Sequence, residues 1–330
     1  MLDFTGGTYE QLFYVADVAL ADGAGTDICI NLGVGSFALL MPVRSTGGHR
    51  LIGAVPPGIA QDEADFESIR AVVEPLLGIA VNQVNWFSTY RVHHRVAAHF
   101  RVGRCFLAGD AGHIHSPAGG QGMNTGIGDA VNLAWKLAAV VAGMAPVALL
   151  DSYEVERIAF ARTLVATTDR AFEAVTGAGL GGRLMRTLVF PHVLPLLTGF
   201  TRVRRAMFRA VSQVRINYRH SPLSGGSAGE VVGGDRLPWA VCEGADNFAP
   251  LRAMAWQVHV YGLVTPQFAE TTAALGTPLH VFAWGPAAER AGLAQDAAYL
   301  VRPDGYVALA QARQDGAALR AYPWTRGGLT

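Results

Sequence analysis

The first third of the chain alternates between apolar and polar positions with the period of two that β-strands show. Residues 8–20 carry apolar side chains on both alternating sets, which predicts a strand that is covered on both faces. Shorter runs at 28–32, 36–41 and 51–55 are joined by glycine-containing turns, and they predict three more strands in an antiparallel meander.

A period of 3.6 residues, typical of helices, appears at residues 62–77. We expect a helix there with Asp62 as its N-cap, followed by a strand over 84–89. Farther along, an apolar run at 105–108 predicts a buried strand that leads into a glycine-rich loop.

Two long helices are predicted in the middle of the chain. The first runs from Gly122 to Gly143, and its apolar face comprises Met123, Ile127, Ala130, Ala134, Leu137 and Val141. The second runs from Asp151 to about Thr176 and opens with a capping box of Asp151 and Glu154.

The last part of the chain changes character. Residues 183–213 predict further helical segments, and the glycine- and serine-rich residues 221–234 predict a linker. A smaller mixed domain is predicted after it, with a helix at 286–297 and strands at 257–263, 280–284, 299–302 and 306–310.

Composition narrows the function classes. The chain has 330 residues, half of them hydrophobic, and a formal net charge of zero, with no basic cluster of the kind that binds nucleic acid. Cys29, Cys105 and Cys242 are odd in number and widely spaced, which favours a reducing compartment. The first residues lack the basic start and apolar core of a signal peptide, so we expect a cytoplasmic protein.

The most apolar stretch, Leu188–Phe200, is interrupted by two prolines. It is too short and too broken to span a membrane, so no membrane span is predicted. Because three arginines follow it at 202, 204 and 205, an interfacial segment is an alternative to packing on the protein body.

Small residues before the Gly122 helix form a candidate ligand site. Gly119, Gly120 and Gly122 remove side chains that would hold a ligand away, and the helix start offers free backbone N–H groups. Another glycine pattern, Gly33 to Ala38, matches G-x-G-x-x-A. Because neither a helix nor an acidic residue follows it at the required spacing, we interpret it as a hairpin.

Four histidines near this loop raise the question of a metal. His113 and His115 have no Cys or acidic residue at ligand spacing, so we predict no metal site and expect them to order the loop through hydrogen bonds. We interpret His93 and His94 as structural residues in the same way.

The central stretch resembles the second flavin-binding motif of the single-component FAD-dependent aromatic hydroxylases, flavoprotein monooxygenases similar to p-hydroxybenzoate hydroxylase and phenol hydroxylase. The residues that carry this resemblance are Phe106-Leu-Ala-Gly-Asp110, His115-Ser-Pro-Ala-Gly-Gly-Gln-Gly-Met-Asn124 and Asp129-Ala-Val-Asn-Leu-Ala-Trp-Lys-Leu137. Gly234-Asp-Arg-Leu-Pro238 and Val301-Arg-Pro-Asp-Gly-Tyr-Val307 resemble the branch that hydroxylates aromatic polyketides and carries a thioredoxin-like C-terminal domain.

The resemblance implies roles for individual residues. Asp110 would accept hydrogen bonds from the ribityl chain, Pro117 would lie where the flavin ring passes the substrate, and N–H groups around Met123 would face the N1–C2=O edge of the flavin. The candidate cofactor-binding residues are Gly109, Asp110, Pro117, Gly119, Gly120, Gln121, Gly122, Met123 and Asn124. The candidate substrate residues are Tyr14, Phe37 and Met41, and a plain core role is the competing interpretation for each.

The implied fold class is α/β (α+β): a partial FAD-binding Rossmann-like domain with an antiparallel substrate sheet, plus a small thioredoxin-like C-terminal domain. The implied divisions are a substrate-side meander and helix at 1–100, the C-terminal half of the FAD-binding domain and a helical region at 101–220, the linker 221–234, and the thioredoxin-like domain 235–330. Cys242 has no C-x-x-C partner, so packing or homodimer formation fits that domain better than redox chemistry.

The family begins with a G-x-G-x-x-G turn that binds the ADP half of FAD, and this chain shows none. We therefore expect contacts to the riboflavin side alone. Two explanations remain open: the chain starts inside a longer protein, or it is a natural partial product.

The implied function is hydroxylation of a phenolic or polyketide-like aromatic substrate by O2, with FAD as cofactor and NAD(P)H as reductant, through a flavin C4a-hydroperoxide. No side-chain nucleophile is expected, because the flavin carries the chemistry. The alternative is a non-catalytic partial flavoprotein that serves as a binding or association module.

Overall fold

The computed structural model describes residues 3–21, 27–32, 37–56, 58–61, 63–116, 120–176 and 179–323. The strands are β1 Phe4–Leu20, β2 Cys29–Leu32, β3 Phe37–Val43, β4 Gly48–Ala54, β5 Val81–Ala97, β6 Arg101–Val102, β7 Cys105–Phe106, β8 His113–Ile114, β9 Gly225–Ala228, β10 Val231–Val232, β11 Val241–Cys242, β12 Ala245–Asp246, β13 Gln257–Tyr261, β14 Leu279–Phe282, β15 Ala298–Val301 and β16 Val307–Gln311. The α-helices are α1 Phe66–Leu77, α2 Gly122–Val141, α3 Asp151–Thr176, α4 Leu180–Leu184, α5 Leu194–Thr198, α6 Thr201–Val211, α7 Pro266–Ala274, α8 Pro286–Arg290 and α9 Gly316–Ala321. Short 3₁₀ helices span Gly109–Ala111, Val147–Leu150 and Ala249–Ala253, and a π-helical stretch spans Met185–Val193.

The chain divides into two compact units. The first unit comprises residues 1–98, 113–122 and 163–208. The second unit comprises residues 99–112, 123–162 and 209–330.

The first unit contains an antiparallel sheet with strand order β2-β3-β4-β1-β5-β8. The four predicted strands are confirmed and β2, β3 and β4 form the expected antiparallel meander, but β1 pairs with β4 and β5 and not with β2. The strand predicted at 84–89 is longer than expected, because β5 pairs with β1 as far as Ala97. Phe13 and Tyr14 are both fully buried, which confirms that β1 is covered on its two faces.

Helix α1 begins later than predicted. Asp65, rather than Asp62, is its N-cap: the Ser68 N–H donates to Asp65 Oδ1 at 2.8 Å, and the Asp65 N–H donates to Ser68 Oγ at 3.2 Å. This reciprocal pair satisfies two backbone donors at the helix start. Asp62 itself lies outside the described residues.

The second unit corrects the strand predicted at 105–108. Of these four residues only Cys105 and Phe106 form a strand, which pairs with β6 in a two-stranded hairpin. Cys105 is exposed because no further strand of the described chain joins this hairpin.

The C-terminal part of the second unit has the expected thioredoxin-like arrangement. Its sheet has the order β10-β9-β16-β15-β13-β14, in which β13 is parallel to β14 and antiparallel to β15, and β15 is antiparallel to β16. Helix α7 connects the parallel pair, α8 precedes β15 and α9 follows β16. The helix predicted at 286–297 ends at Arg290, shortly before Gly292 adopts a φ of +81°.

The segment predicted as a linker, 221–234, contains β9 and β10 of this sheet. Gly226 explains the difference. A Cβ at this residue would lie 2.1 Å from the carbonyl oxygen of Ala310 on the neighbouring β16. Glycine is therefore required here for close strand packing, and it does not indicate a flexible connection.

Candidate functional site

The Gly-Asp turn of the second unit is a short 3₁₀ helix, Gly109–Ala111. Gly109 has a φ of +59°, a left-handed conformation that favours glycine. The Gly112 N–H donates to the Gly109 carbonyl at 2.8 Å and closes the turn. Asp110 is exposed, so its carboxylate is accessible to a hydroxyl-bearing ligand.

Helix α2 lies directly behind this turn. A Cβ on Gly126 would lie 3.3 Å from the Gly109 Cα, so two glycines allow the backbones to approach closely. Met123 and Asn124, in the first turn of α2, are exposed. The first N–H groups of an α-helix have no partner within the helix, so this start presents donors and a positive dipole end.

Other predicted residues belong to the first unit. Gly120 has a φ of +62°, Gln121 and Gly122 are half-buried, and His115 Nδ1 lies 2.7 Å from the Ser116 carbonyl. The His115 contact agrees with the loop-ordering role expected for this residue. The two remaining predicted residues, Pro117 and Gly119, lie outside the described residues.

Helix α3 fastens the segment that leads into the Gly109 turn. The Tyr153 hydroxyl donates to the Leu107 carbonyl at 2.6 Å. Glu154 Oε2 accepts from the N–H groups of Phe100 and Arg101 at 2.7 and 2.9 Å. The capping box predicted for Glu154 is therefore wrong, since its carboxylate serves backbone donors of a distant segment.

The buried side of α2 is polar, contrary to the sequence pattern. Met123 is 76% exposed and Ile127 53% exposed on the predicted apolar face. The buried residues of the helix are Thr125, Asp129, Asn132, Leu133, Trp135 and Lys136. The prediction fails because polar partners from elsewhere in the second unit satisfy this side of the helix.

Lys136 of α2 and three of these partners, Glu156, Arg302 and Asp304, form what we call the buried ion cluster. Glu156 accepts from Lys136 Nζ at 2.7 Å and from Arg302 Nη1 at 2.6 Å, and Arg302 Nη2 donates to Asp304 at 2.6 Å. Two cations and two anions balance one another. Sequence reasoning missed this cluster, although Lys136 is the sole lysine of the chain.

The titration of the cluster follows from its burial. Burial acts to raise the pKa of Glu156, but the charges of Arg302 and Lys136 outweigh it and hold that pKa well below its usual range. Burial lowers the pKa of Lys136 to about 8, with the charge of Glu156 opposing the shift. Both groups are therefore ionised at neutral pH.

A second ion pair connects α2 with α3. Arg157 Nε donates to Asp129 Oδ1 at 2.5 Å, and Asp129 Oδ2 accepts from the Gly109 N–H at 2.9 Å. A cavity of about 400 Å³ lies beside this pair. Its lining residues include Asn124, Ile127, Val131, Arg157, Gln213, Tyr218, Arg236 and Tyr306.

The three candidate substrate residues fall on two sides of the sheet in the first unit. Tyr14 is fully buried in the cluster that packs on α1, as the core interpretation requires. Phe37 packs on the opposite face beside Phe13, with ring centroids 6.0 Å apart, and Met41 shares its alternation. Other aromatic residues of this face are Tyr9, Tyr90 and Phe172.

The described part of the chain contains neither a candidate metal site nor a helix that could span a membrane. It holds no group of three or more His, Cys, Asp or Glu side chains placed to bind a metal. The rings of His113 and His115 stack with their centroids 6.5 Å apart. None of the described helices combines the length and the apolar character needed to cross a bilayer.

Comparison with known proteins identifies the class of this site. Residues 30–168 match the family described as FAD binding domain. The chain is 37% identical to 6-methylpretetramide 4-monooxygenase of Streptomyces rimosus over 243 residues, which are 69% of the chain and 42% of that protein. It is 47% identical to dialkyldecalin synthase of Streptomyces rugosporus over 115 residues, which are 34% of the chain and 25% of that protein.

A solved structure extends the comparison to the whole chain. The anhydrotetracycline hydroxylase OxyS from Streptomyces rimosus superposes on 99% of this chain and 66% of its own, with a TM-score of 0.71 and 28% identity. This chain thus spans less than half the length of the two curated relatives and about two thirds of the solved one.

The family identifies FAD as the cofactor, and the described residues fit its riboflavin side. Gly109 and Gly126 are in close contact and carry no side chains that would cover the backbone of the turn. The exposed carboxylate of Asp110 suits the sugar-like hydroxyls of a ribityl chain. The start of α2 suits the electron-rich edge of a reduced flavin.

Proposed function

We propose that this chain forms the riboflavin side of the FAD site in a monooxygenase that hydroxylates aromatic, polyketide-like substrates with O2 and NAD(P)H. The observation that carries the proposal is the Gly109 turn, which packs on Gly126 of α2, exposes the Asp110 carboxylate and lies within the part of the chain that matches the FAD binding domain. The relative named as a 6-methylpretetramide monooxygenase supports an aromatic polyketide as substrate.

The residues have distinct tasks in this proposal. Asp110 binds the ribityl hydroxyls, and backbone N–H groups of Met123 and Asn124 stabilise negative charge on the flavin. Gly120, Gln121 and Gly122 remain predicted cofactor-binding residues of the segment that precedes Met123 in the chain. Bound and reduced, the flavin supplies the transfer of one oxygen atom from O2, while the protein orients the substrate and excludes water.

The substrate side belongs to the first unit. Phe37 and Met41 remain candidate substrate contacts, because they share a face with other aromatic side chains on which a planar ring can stack. Tyr14 is not included, since its ring lies in the core on the other face. A homodimer and a reducing compartment also remain predictions, and the three cysteines are free.

A turnover experiment tests this function. The chain is purified, mixed with FAD, NADPH and a set of phenolic and polycyclic aromatic compounds under labelled oxygen, and products are analysed by mass spectrometry. We expect product carrying one labelled oxygen atom and matching NADPH oxidation. A chain that retains FAD but yields neither would support the alternative of a non-catalytic binding module.

A cyclisation without oxygen transfer is a second candidate function. It is favoured by the 47% identity to dialkyldecalin synthase, a relative that is not named as a monooxygenase. The same assay run without oxygen separates the two, since an anaerobic, NADPH-independent change of a polyene substrate would indicate cyclisation.

A further inference from the structure

The carboxylate of Asp129 lies between the Gly109 turn and helix α3. Its side chain is fully buried. One oxygen accepts from the Gly109 N–H at 2.9 Å, and the other accepts from Arg157 Nε at 2.5 Å. A buried carboxylate needs such partners, so these contacts fix its orientation as well as its charge.

Among the described residues, the turn meets α2 through glycine on both sides. Gly109 and Gly126 face each other without side chains, so no interlocking side chains fix the turn on α2. Asp110 and Ala111 are exposed. The hydrogen bond from the Gly109 N–H to Asp129 is therefore a directional contact between the turn and α2, in addition to the Gly112–Gly109 bond that closes the turn.

Arg157 holds Asp129 in place through a second set of bonds. Its Nη1 donates to the Tyr218 hydroxyl at 2.9 Å and its Nη2 donates to the Thr125 carbonyl at 3.0 Å. The planar guanidinium thus uses each of its nitrogen atoms in a fixed geometry. Tyr218 in turn stacks on Tyr306 of the thioredoxin-like domain, with ring centroids 4.2 Å apart.

We propose that Asp129 is a positioning residue of the flavin site, which holds the Gly109 turn and thereby Asp110 in the geometry that binds the ribityl chain. Arg157 orients Asp129, and the Tyr218–Tyr306 stack supports Arg157 from the thioredoxin-like domain. The proposal rests on the proposed function in taking this turn as the flavin contact. It also gives the C-terminal domain a role in flavin binding that needs no cysteine chemistry.

Residue-resolved amide hydrogen exchange on the full chain tests the hydrogen bond itself. In the unaltered protein the Gly109 amide should be protected, although its neighbours are exposed. Asp129→Asn should accelerate its exchange at least about tenfold, as expected for a lost charge-assisted hydrogen bond. The Phe100 amide, which Glu154 holds independently, should not change.

The matched control is Tyr153→Phe, which removes another bond from α3 to the same segment, at Leu107, but leaves the Gly109 bond intact. It should leave Gly109 exchange unchanged. If Asp129→Asn does not fold, the double variant Asp129→Leu, Arg157→Met removes both charges together and still deletes the acceptor for the Gly109 N–H. Unprotected Gly109 in the unaltered protein, or equal acceleration at Gly109 and Phe100, would overturn the proposal.

FAD titration supplies the second readout. We expect the FAD dissociation constant to rise at least about tenfold in Asp129→Asn and in Arg157→Lys, because lysine keeps the charge but loses the fork. Faster Gly109 exchange with unchanged FAD affinity would contradict a positioning role. If the unaltered chain binds no FAD, the proposed function fails, while the exchange data still decide whether Asp129 holds the turn.

Discussion

At the level of individual residues, the sequence pattern mainly fails to predict which charged side chains are buried. Thr125, Asp129, Asn132 and Lys136 recur at helical spacing, and a polar stripe of this kind normally faces solvent. Here it faces inward because Glu156 and Arg302, which lie 146 positions apart, meet beside it. A pairing over that separation leaves no trace in a local pattern, so the sequence alone could not show it.

Removing one charge of the buried ion cluster should destabilise the protein strongly. Glu156→Gln leaves Lys136 and Arg302 with Asp304 as their remaining anion, and we expect a loss of about 3–5 kcal/mol of unfolding free energy. Urea denaturation measures it. The control is Asp17→Asn, which breaks the half-exposed pair with Arg50 and should cost less than about 1 kcal/mol. Equal losses in the two variants would contradict the importance of burial.

His259 makes stability depend on pH in a defined window. Burial lowers the pKa of His259 to about 3, with His280 nearby adding to the shift. Between pH 6.5, where the unfolded residue titrates, and about pH 3, the unfolded chain binds a proton that the folded chain does not, so stability falls with falling pH.

We expect the free energy of unfolding to fall by up to about 2 kcal/mol between pH 7 and pH 5 because of His259. This interval lies above the range where carboxylates titrate. Denaturation at the two pH values, compared between the unaltered chain and His259→Gln, measures the difference. The exposed His220→Gln variant is the control and should keep the full pH dependence. A His259→Gln variant with undiminished pH dependence would refute the assignment.

Helices and strands could be predicted from the sequence where the local residue patterns agreed with one another. The strands of the meander, the strands of the thioredoxin-like domain and the bounds of α2 and α3 are confirmed, because alternation, helical period and terminal glycine agreed there. The buried face of α2 and the linker at 221–234 were not predictable. In both cases the deciding contacts come from elements far along the chain, such as β16 against β9.

Two glycines with the same backbone angle distinguish close strand packing from turn conformation. Gly226 of β9 and Gly47 of the β3–β4 turn both have a φ of +69°. A Cβ added to Gly226 would lie 2.1 Å from the Ala310 carbonyl oxygen, whereas a Cβ added to Gly47 would meet no described atom within 4 Å. Gly47→Ala should cost about 1–2 kcal/mol from backbone strain. Gly226→Ala adds a backbone clash and should cost about 3 kcal/mol or more. Thermal unfolding compares them, and similar melting temperatures would show that β9 does not pack as described.

At the scale of the whole molecule, the sequence predicts the candidate site but not the residues that support it. The structure has a 3₁₀ turn at Gly109–Ala111 and a helix that begins at Gly122, the two elements on which the flavin motif lies. The contacts that fasten them come from Tyr153 and Arg157 of α3 and from Tyr218. Tyr218 in turn packs against Tyr306 of the thioredoxin-like domain. A motif predicts the atoms that meet a ligand, whereas the residues that hold those atoms depend on the tertiary fold.

If the described residues bind the riboflavin side of FAD, competitive flavin titration should show it. The chain is titrated with FAD, FMN and riboflavin, with ADP as competitor, and Asp110→Ala is measured in parallel. We expect FMN and riboflavin to bind within about tenfold of FAD, ADP not to displace them, and Asp110→Ala to weaken the binding of all three flavins at least about tenfold. Displacement of flavin by ADP, or flavin affinity unchanged in Asp110→Ala, would contradict this expectation.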